Sequence, residues 1–138
     1  MININKRYIK ELISDLDNIS NSIEFENTIE QLSTSIRETS NKDKITAIFG
    51  NGGSAADAQH FSAELVGTFK NKQRKPLKAL ALTTDTSFIT AWSNDFDYSS
   101  IFERQITAFS NSIGLSIGLS TSGKSKNILK GLEASSLL

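Results

Sequence analysis

Three short apolar segments, separated by helical stretches, constrain the fold of this chain more than any other feature. Ile45–Phe49, Leu77–Leu82 and Leu115–Leu119 are apolar and of strand length, so each predicts a buried strand. Helical patterns occupy the intervening and following stretches, at 54–69, 86–93, 98–111 and 125–137. This alternation predicts an α/β fold with a parallel sheet flanked by helices, in which ligands bind at the carboxyl ends of the strands.

Two amphipathic helices precede the first strand. The first covers residues 4–20 and the second ends before Ser40, and both carry apolar side chains at helical spacing with charges between them. Their apolar faces either pack against another subunit or cover the chain's own core. We therefore divide the chain into N-terminal helices over 1–40, assigned to oligomerisation, and an α/β domain over 41–138.

Charge and composition exclude several classes of protein. Lys and Arg number 15, as do Asp and Glu, which gives no electrostatic basis for binding nucleic acid or an acidic membrane. There is no cysteine, so disulfides and thiolate metal sites are excluded, and the chain carries a single histidine. We found neither a secretory leader nor a membrane-spanning segment, and expect a cytoplasmic protein.

A glycine-rich loop follows the first strand. Gly50-Asn51-Gly52-Gly53-Ser54 leads from the strand into a helix, and its glycines allow close approach of a ligand to the backbone. Ser54 and Asp57 form a capping-box pattern, which predicts that the helix starts at Ser54. The free N–H groups of a helix start favour phosphate, although a purely structural turn explains the loop equally well.

Three polar residues lie on one face of the helix that this loop opens. Asp57, His60 and Glu64 have the spacing i, i+3, i+7. His60 and Glu64 could together bind a divalent metal, or Glu64 could act as a base beside the imidazole. The alternative is a solvated polar face without a function.

A hydroxyl-rich loop follows the third strand. Ser120, Thr121, Ser122 and Ser125 surround Gly123, and hydroxyl and amide groups together suit a phosphate. An ordinary polar loop with a helix cap is the alternative. The segment from Gly118 to Ser125 also satisfies the P-loop pattern of nucleoside triphosphatases. The P-loop interpretation is disfavoured because the acidic Asp85 precedes the loop and no further strand with a magnesium ligand follows it.

Taken together, several strings resemble the phosphoheptose isomerase family of the sugar isomerase (SIS) domain group. They are the segments 50–65, 81–87 and 101–105, the pair Asn94-Asp95 and the segment 120–123, in order along residues 45 to 132. The resemblance implies a Rossmann-like SIS fold and a homotetramer with N-terminal helices at the subunit contacts. It also implies isomerisation of sedoheptulose 7-phosphate to D-glycero-D-manno-heptose 7-phosphate through an enediol, toward the heptose of bacterial lipopolysaccharide.

The resemblance also implies roles for individual residues. Glu64 matches the carboxylate that moves the proton, and His60 and Glu64 match ligands of a zinc ion. The residues that match the substrate-binding positions are Asn51, Gly52, Gly53, Asn94, Asp95, Ser120, Thr121, Ser122 and Ser125.

The chain departs from the family pattern in three ways. Lys124 stands where the family commonly has Asn, and Gly114 replaces an Asp that we expect in the turn before the third strand. The family also continues through another strand and a long helix that carries a Gln and a His. These residues supply the remaining metal ligands and the second acid–base group. Either this chain is part of a longer isomerase, or it is a non-catalytic SIS module that binds a sugar phosphate or a protein such as a replication initiator. Glu64, which SIS proteins that associate with the initiator lack, favours enzyme ancestry.

Overall fold

A computed structural model describes the backbone of residues 2–137 and the side chains of residues 5–137. The described chain divides into two compact units, residues 1–35 and residues 36–138. The elements of the first unit are α1 (Ile2–Ser20) and most of α2 (Ile23–Asn41). The apolar side chains along α1 and the start of α2 are exposed, for example Ile13 at 61% and Ile23 at 75%.

The second unit is an α/β domain, as the alternating pattern predicts. Its elements in chain order are β1 (Ile45–Gly50), α3 (Gly53–Val66), β2 (Ala79–Ala81), α4 (Thr86–Asp95), a 3₁₀ turn (Tyr98–Ser100), α5 (Ile101–Ala108), β3 (Ile113–Leu119) and α6 (Lys126–Ser136). The three strands are parallel in the order β2-β1-β3. The central strand β1 is buried almost throughout, which explains its continuous apolar sequence.

The core lies between the sheet and the helices α5 and α6. Phe49 from β1 and Phe102 from α5 are both buried, with ring centroids 4.9 Å apart. Gly131 of α6 sits directly against this pair, because a Cβ atom at that position would lie 2.9 Å from Cε2 of Phe49. Helix α6, which begins at the hydroxyl-rich loop, is therefore packed closely onto the core.

Two predicted boundaries differ from the structure. The second strand covers only three residues rather than 77–82, because the N–H of Leu77 donates to the carbonyl of Leu65 in α3 (3.0 Å) instead of joining the sheet. Gly114 lies inside β3 and not in a preceding turn, so that expectation was wrong. A Cβ at Gly114 would lie 2.7 Å from the Cβ of Lys44, so an Asp there would require this neighbour to move.

Among residues 2–137, no helix is both long enough and apolar enough to cross a membrane.

Candidate functional site

The two loops predicted to bind a ligand leave the sheet side by side. Gly50, the last residue of β1, pairs in register with Leu119, the last residue of β3. The glycine-rich loop and the hydroxyl-rich loop start at the next residues, 51 and 120, at the carboxyl edge of the parallel sheet. This is the edge at which such sheets bind ligands.

The glycine-rich loop has a backbone that other residues rarely adopt. Gly52 has φ 54° and ψ −120°, the geometry of the first central residue of a type II′ turn, which favours glycine. At Gly50 a Cβ atom would lie 2.6 Å from the carbonyl oxygen of Ser54. Helix α3 begins at Gly53 with Gly52 as its N-cap, so the predicted start at Ser54 was wrong. The glycine turn sets the helix start, and no side chain caps it.

The hydroxyl-rich loop folds around its own serines. The hydroxyls of Ser120 and Ser125 lie 3.3 Å apart. The N–H of Gly123 donates to Ser120 Oγ (3.1 Å), and the N–H of Lys124 donates to Ser122 Oγ (3.2 Å). Ser125 is the N-cap residue of α6, and its hydroxyl makes no capping hydrogen bond. The loop therefore places hydroxyl groups next to the start of an 11-residue helix, an arrangement suited to an anion.

Two residues that the sequence analysis missed connect these loops. Asn127, in the first turn of α6, is only 3% exposed and exchanges two hydrogen bonds with Asn51, each of 2.8 Å. Tyr98, from the 3₁₀ turn, donates its hydroxyl to Oδ1 of Asn51 (2.9 Å). Asn51 and Asn127 are 76 residues apart in sequence, so no local pattern could have indicated the pair.

Glu64 carries an unusual carboxylate. Its Oε2 atom is buried and has no hydrogen-bond partner among residues 5–137, whose side chains the structure describes. Its Oε1 atom lies 3.9 Å from Nε2 of His60, whose side chain is 79% exposed. A buried carboxylate oxygen that lacks a partner is costly, and such groups commonly mark positions where a ligand or a proton is handled. The structure thus places His60 and Glu64 together, and Glu64 in an environment that suits a functional carboxylate.

Zinc requires more donors than this arrangement supplies. Zinc sites use at least three protein ligands, whereas His60 and Glu64 are two. Within the part of the chain that the structure describes, no group of three or more His, Cys, Asp or Glu side chains could hold a metal ion, and Asp57 does not complete one. The described residues therefore do not form a complete zinc site, and the zinc ion stays a prediction from the resemblance.

Arg74 is a further residue that the sequence analysis missed. Its guanidinium donates to the carbonyl oxygens of Glu64 (2.7 Å), Leu65 (2.9 Å) and Gly67 (2.9 Å). The first two carbonyls belong to the last turn of α3 and the third to its C-cap residue, where helical hydrogen bonds run out. Arg74 thereby fixes the helix turn that carries Glu64.

Three acidic or amide residues have local partners. Asn94 and Asp95, at the end of α4, are exposed, and Asn94 donates to the Asp95 carboxylate (2.9 Å). The hydrogen bonds of the two loops thus involve Tyr98 rather than this predicted pair. Asp85 caps α4 by accepting from the N–H of Phe88 (2.9 Å), and this role accounts for its acidic side chain without a magnesium ion. This use of Asp85 weakens the P-loop interpretation.

The fold and these loops define a class of protein. Comparison with protein families matches residues 7–136 to the SIS domain, and the chain belongs to this family. Solved structures agree: a phosphoheptose isomerase from Francisella tularensis superposes with a TM-score of 0.89 at 30% identity, covering 99% of this chain and 70% of that one. The corresponding protein from Neisseria gonorrhoeae gives a TM-score of 0.80 at 36% identity, covering 98% and 68%.

Within the family, the relatives include proteins named phosphoheptose isomerase, which confirms the resemblance seen in the sequence. The protein of this name from Aquifex aeolicus is 58% identical over 86 residues, which is 62% of this chain and 44% of that protein. The one from Aliarcobacter butzleri is 44% identical over 126 residues, or 91% of this chain and 66% of that protein. The chain thus spans about half to two thirds of the length of the curated relatives it matches.

Proposed function

We propose that this chain carries the substrate-binding loops and the proton-transferring carboxylate of a cytoplasmic phosphoheptose isomerase. The substrate is sedoheptulose 7-phosphate and the product D-glycero-D-manno-heptose 7-phosphate, a precursor of the heptose in bacterial lipopolysaccharide. The observation that carries the proposal is the buried, unpartnered Oε2 of Glu64, on a helix that starts at the glycine-rich loop. The relatives' name supports the reaction, and the burial of this oxygen supports the choice of Glu64 as its base.

The chemistry needs one base that reaches two adjacent carbons. Glu64 removes a proton from C1 of the ketose and the electrons move onto the C2 oxygen, which gives the enediolate and, once O2 is protonated, the enediol. Glu64 returns its proton to C2 while the O1 hydroxyl gives up its own proton to a second acid–base group, the same group that protonates O2, and the aldose results. The backbone at Gly52 and Gly53 lines the sugar, and the hydroxyls of Ser120, Thr121, Ser122 and Ser125 hold the phosphate. A carboxylate with no internal partner for Oε2 is free to take a proton without first breaking a hydrogen bond.

Hydrogen exchange tests the base separately from the complete reaction. In D₂O, Glu64 should exchange the C1 proton of sedoheptulose 7-phosphate for deuterium, which NMR detects even where no aldose accumulates. Glu64→Gln keeps the size of the side chain but removes the base, so exchange should fall at least 100-fold. Exchange at the same rate in Glu64→Gln would contradict the assignment of Glu64. Net isomerisation by the 138 residues is expected to be weak. The family's second acid–base group is a second histidine, and His60 is the only histidine in these residues.

A second candidate is a non-catalytic module that binds a sugar phosphate. It is favoured by one observation: the described residues gather only two metal-ligand side chains, His60 and Glu64. This module would be stabilised by sedoheptulose 7-phosphate but would give no deuterium exchange, and Ser122→Ala would abolish the stabilisation. The isomerase proposal requires both stabilisation and exchange, so the two experiments separate the candidates.

The same proposal includes a homotetramer. The exposed apolar side chains of α1, including Ile9, Leu12, Ile13 and Leu16, would be covered by other subunits. Light scattering should then give four times the chain mass of 15.1 kDa. Replacement of Leu12 and Leu16 by Glu should lower the measured mass of the assembly. A parent protein that has the mass of a monomer would refute the proposed tetramer.

A further inference from the structure

The bridge between Asn51 and Asn127 is an unusual use of two polar side chains. Asn127 lies in the first turn of α6, is almost fully buried, and points its amide at the loop that follows β1. Each amide donates to the oxygen of the other at 2.8 Å. Because a buried amide is costly unless it is hydrogen-bonded, this reciprocal pairing is what makes an Asn acceptable at position 127.

The hydrogen bonds fix the orientation of both amides. Oδ1 of Asn51 accepts from Nδ2 of Asn127 and from the hydroxyl of Tyr98, so both its lone pairs are used. Oδ1 of Asn127 accepts from Asn51 and also from the N–H of Ile128 at 3.0 Å. Rotating either amide by 180° would bring N–H groups against N–H groups. The bridge therefore has one satisfied arrangement.

This arrangement changes the role expected for Asn51. The sequence analysis predicted that Asn51 contacts the sugar, but its side-chain oxygen has no acceptor capacity left for a ligand. Its side chain instead fastens the glycine-rich loop to the start of α6. The ligand contacts of this loop that need an acceptor are thus left to groups other than the Asn51 side-chain oxygen, whereas Nδ2 of Asn51 donates one of its two N–H groups to Asn127 and retains the other.

We propose that Asn127 and Tyr98 are positioning residues that set the spacing between the sugar-binding and phosphate-binding loops. This inference rests on the proposed function, because only a ligand that spans both loops benefits from a fixed spacing. The glycine-rich loop has little intrinsic stiffness, since Gly50, Gly52 and Gly53 lack side chains. Holding it in place before the ligand arrives lowers the ordering cost of binding. Inorganic phosphate, which needs only the hydroxyl-rich loop, does not depend on the spacing.

The test compares two ligands by titration calorimetry. For each variant, the dissociation constants of sedoheptulose 7-phosphate and of inorganic phosphate are measured, and their ratio reports the affinity gained from the sugar. Asn127→Ala should reduce the affinity gained from the sugar by about tenfold, because one to two net hydrogen bonds are lost. The dissociation constant of inorganic phosphate should stay unchanged. Tyr98→Phe keeps the ring, removes one hydrogen bond, and should reduce the gain about threefold. Asn111→Ala, an exposed asparagine at the opposite end of β3, is the matched control and should leave the ratio unchanged.

A double variant separates a bridge from a direct sugar contact. If Asn51 acts through Asn127, then Asn51→Ala, Asn127→Ala and the pair together should all lose the same factor. Additive losses, or a loss in Asn51→Ala alone, would overturn the inference. If Asn127→Ala does not fold, Tyr98→Phe decides: an unchanged ratio there refutes the positioning role. A parent protein that gains no affinity from the sugar would instead refute the proposed function, and the inference with it.

Discussion

The neighbouring glycines Gly52 and Gly53 offer a matched pair of substitutions. At both positions an added Cβ would meet no atom within 4 Å, so steric crowding is absent from the comparison. Only Gly52 has a positive φ, of 54°, whereas Gly53 is the first residue of α3. Replacing each by Ala therefore isolates the backbone conformation.

The expected free energies have opposite signs. Gly52→Ala forces an L-residue into a conformation that costs about 1–3 kcal/mol. Gly53→Ala is expected to stabilise by about 0.4–1 kcal/mol, because it restricts the unfolded chain at a helical position. For a unit of roughly 100 residues, 1 kcal/mol corresponds to about 5 °C in Tm. Gly52→Ala should thus lower Tm by about 5–15 °C, and Gly53→Ala should raise it by about 2–5 °C.

Thermal unfolding followed by circular dichroism, without ligand, measures both shifts. Urea unfolding of the same proteins checks that the slope with denaturant is unchanged, so that the shifts report stability rather than a new unfolded state. Equal Tm changes in the two variants, or a neutral Gly52→Ala, would show that the loop relaxes away from its type II′ geometry at no cost. The assignment of the α3 start to the glycine turn would then be wrong.

Three further variants address the contacts around the site. In urea unfolding, Arg74→Ala should destabilise the protein by about 1.5–3 kcal/mol, since a charged donor to three carbonyls is lost. Arg74→Lys should recover only part of this stability, and full recovery would show that the charge alone matters. Asp85→Ala should cost about 1 kcal/mol as a lost helix cap and Asp85→Asn much less, whereas equal losses would point to the charge. The N–H of Ser99 donates to the Asp97 carboxylate and lowers its pKa from 3.8. The stabilisation that this charge gives is therefore complete above pH 3.8 and is lost as the pH falls through the lower pKa of the folded state. The stability difference between the parent and Asp97→Asn should shrink in acid, and a difference independent of pH between 2 and 7 would contradict this.

The sequence predicted those parts of the fold that local patterns determine. The apolar runs of β1 and β3 and the helical spacing of apolar residues in α1 and α2 are local signals, and the structure confirms the α/β architecture. The sequence analysis located the glycine-rich loop correctly, but it placed the start of α3 at Ser54 instead of Gly53. A capping-box pattern at Ser54 competes with a glycine turn at Gly52, and only the backbone geometry shows which one prevails.

The contacts that the sequence did not predict either involve backbone carbonyl groups or join residues far apart in the chain. Arg74 reaches back to carbonyl groups, which carry no sequence signal, and the partner of Asn51 is found only after α6 has packed onto the core through Gly131. β2 was predicted too long because Leu77 and Leu82 extend the apolar pattern beyond the three paired residues. Hydrogen bonding to α3 removes Leu77 from the sheet, a tertiary effect that overrides strand propensity.

Strand β3 has a consequence for how these 138 residues behave at high concentration. It is the longest of the three described strands, it lies last in the order β2-β1-β3, and it carries Ile113, Leu115, Ile117 and Leu119. The backbone groups along its outer side form a template to which another extended chain can bond. We therefore expect association through this strand, rather than unfolding, to limit the usable concentration of these 138 residues.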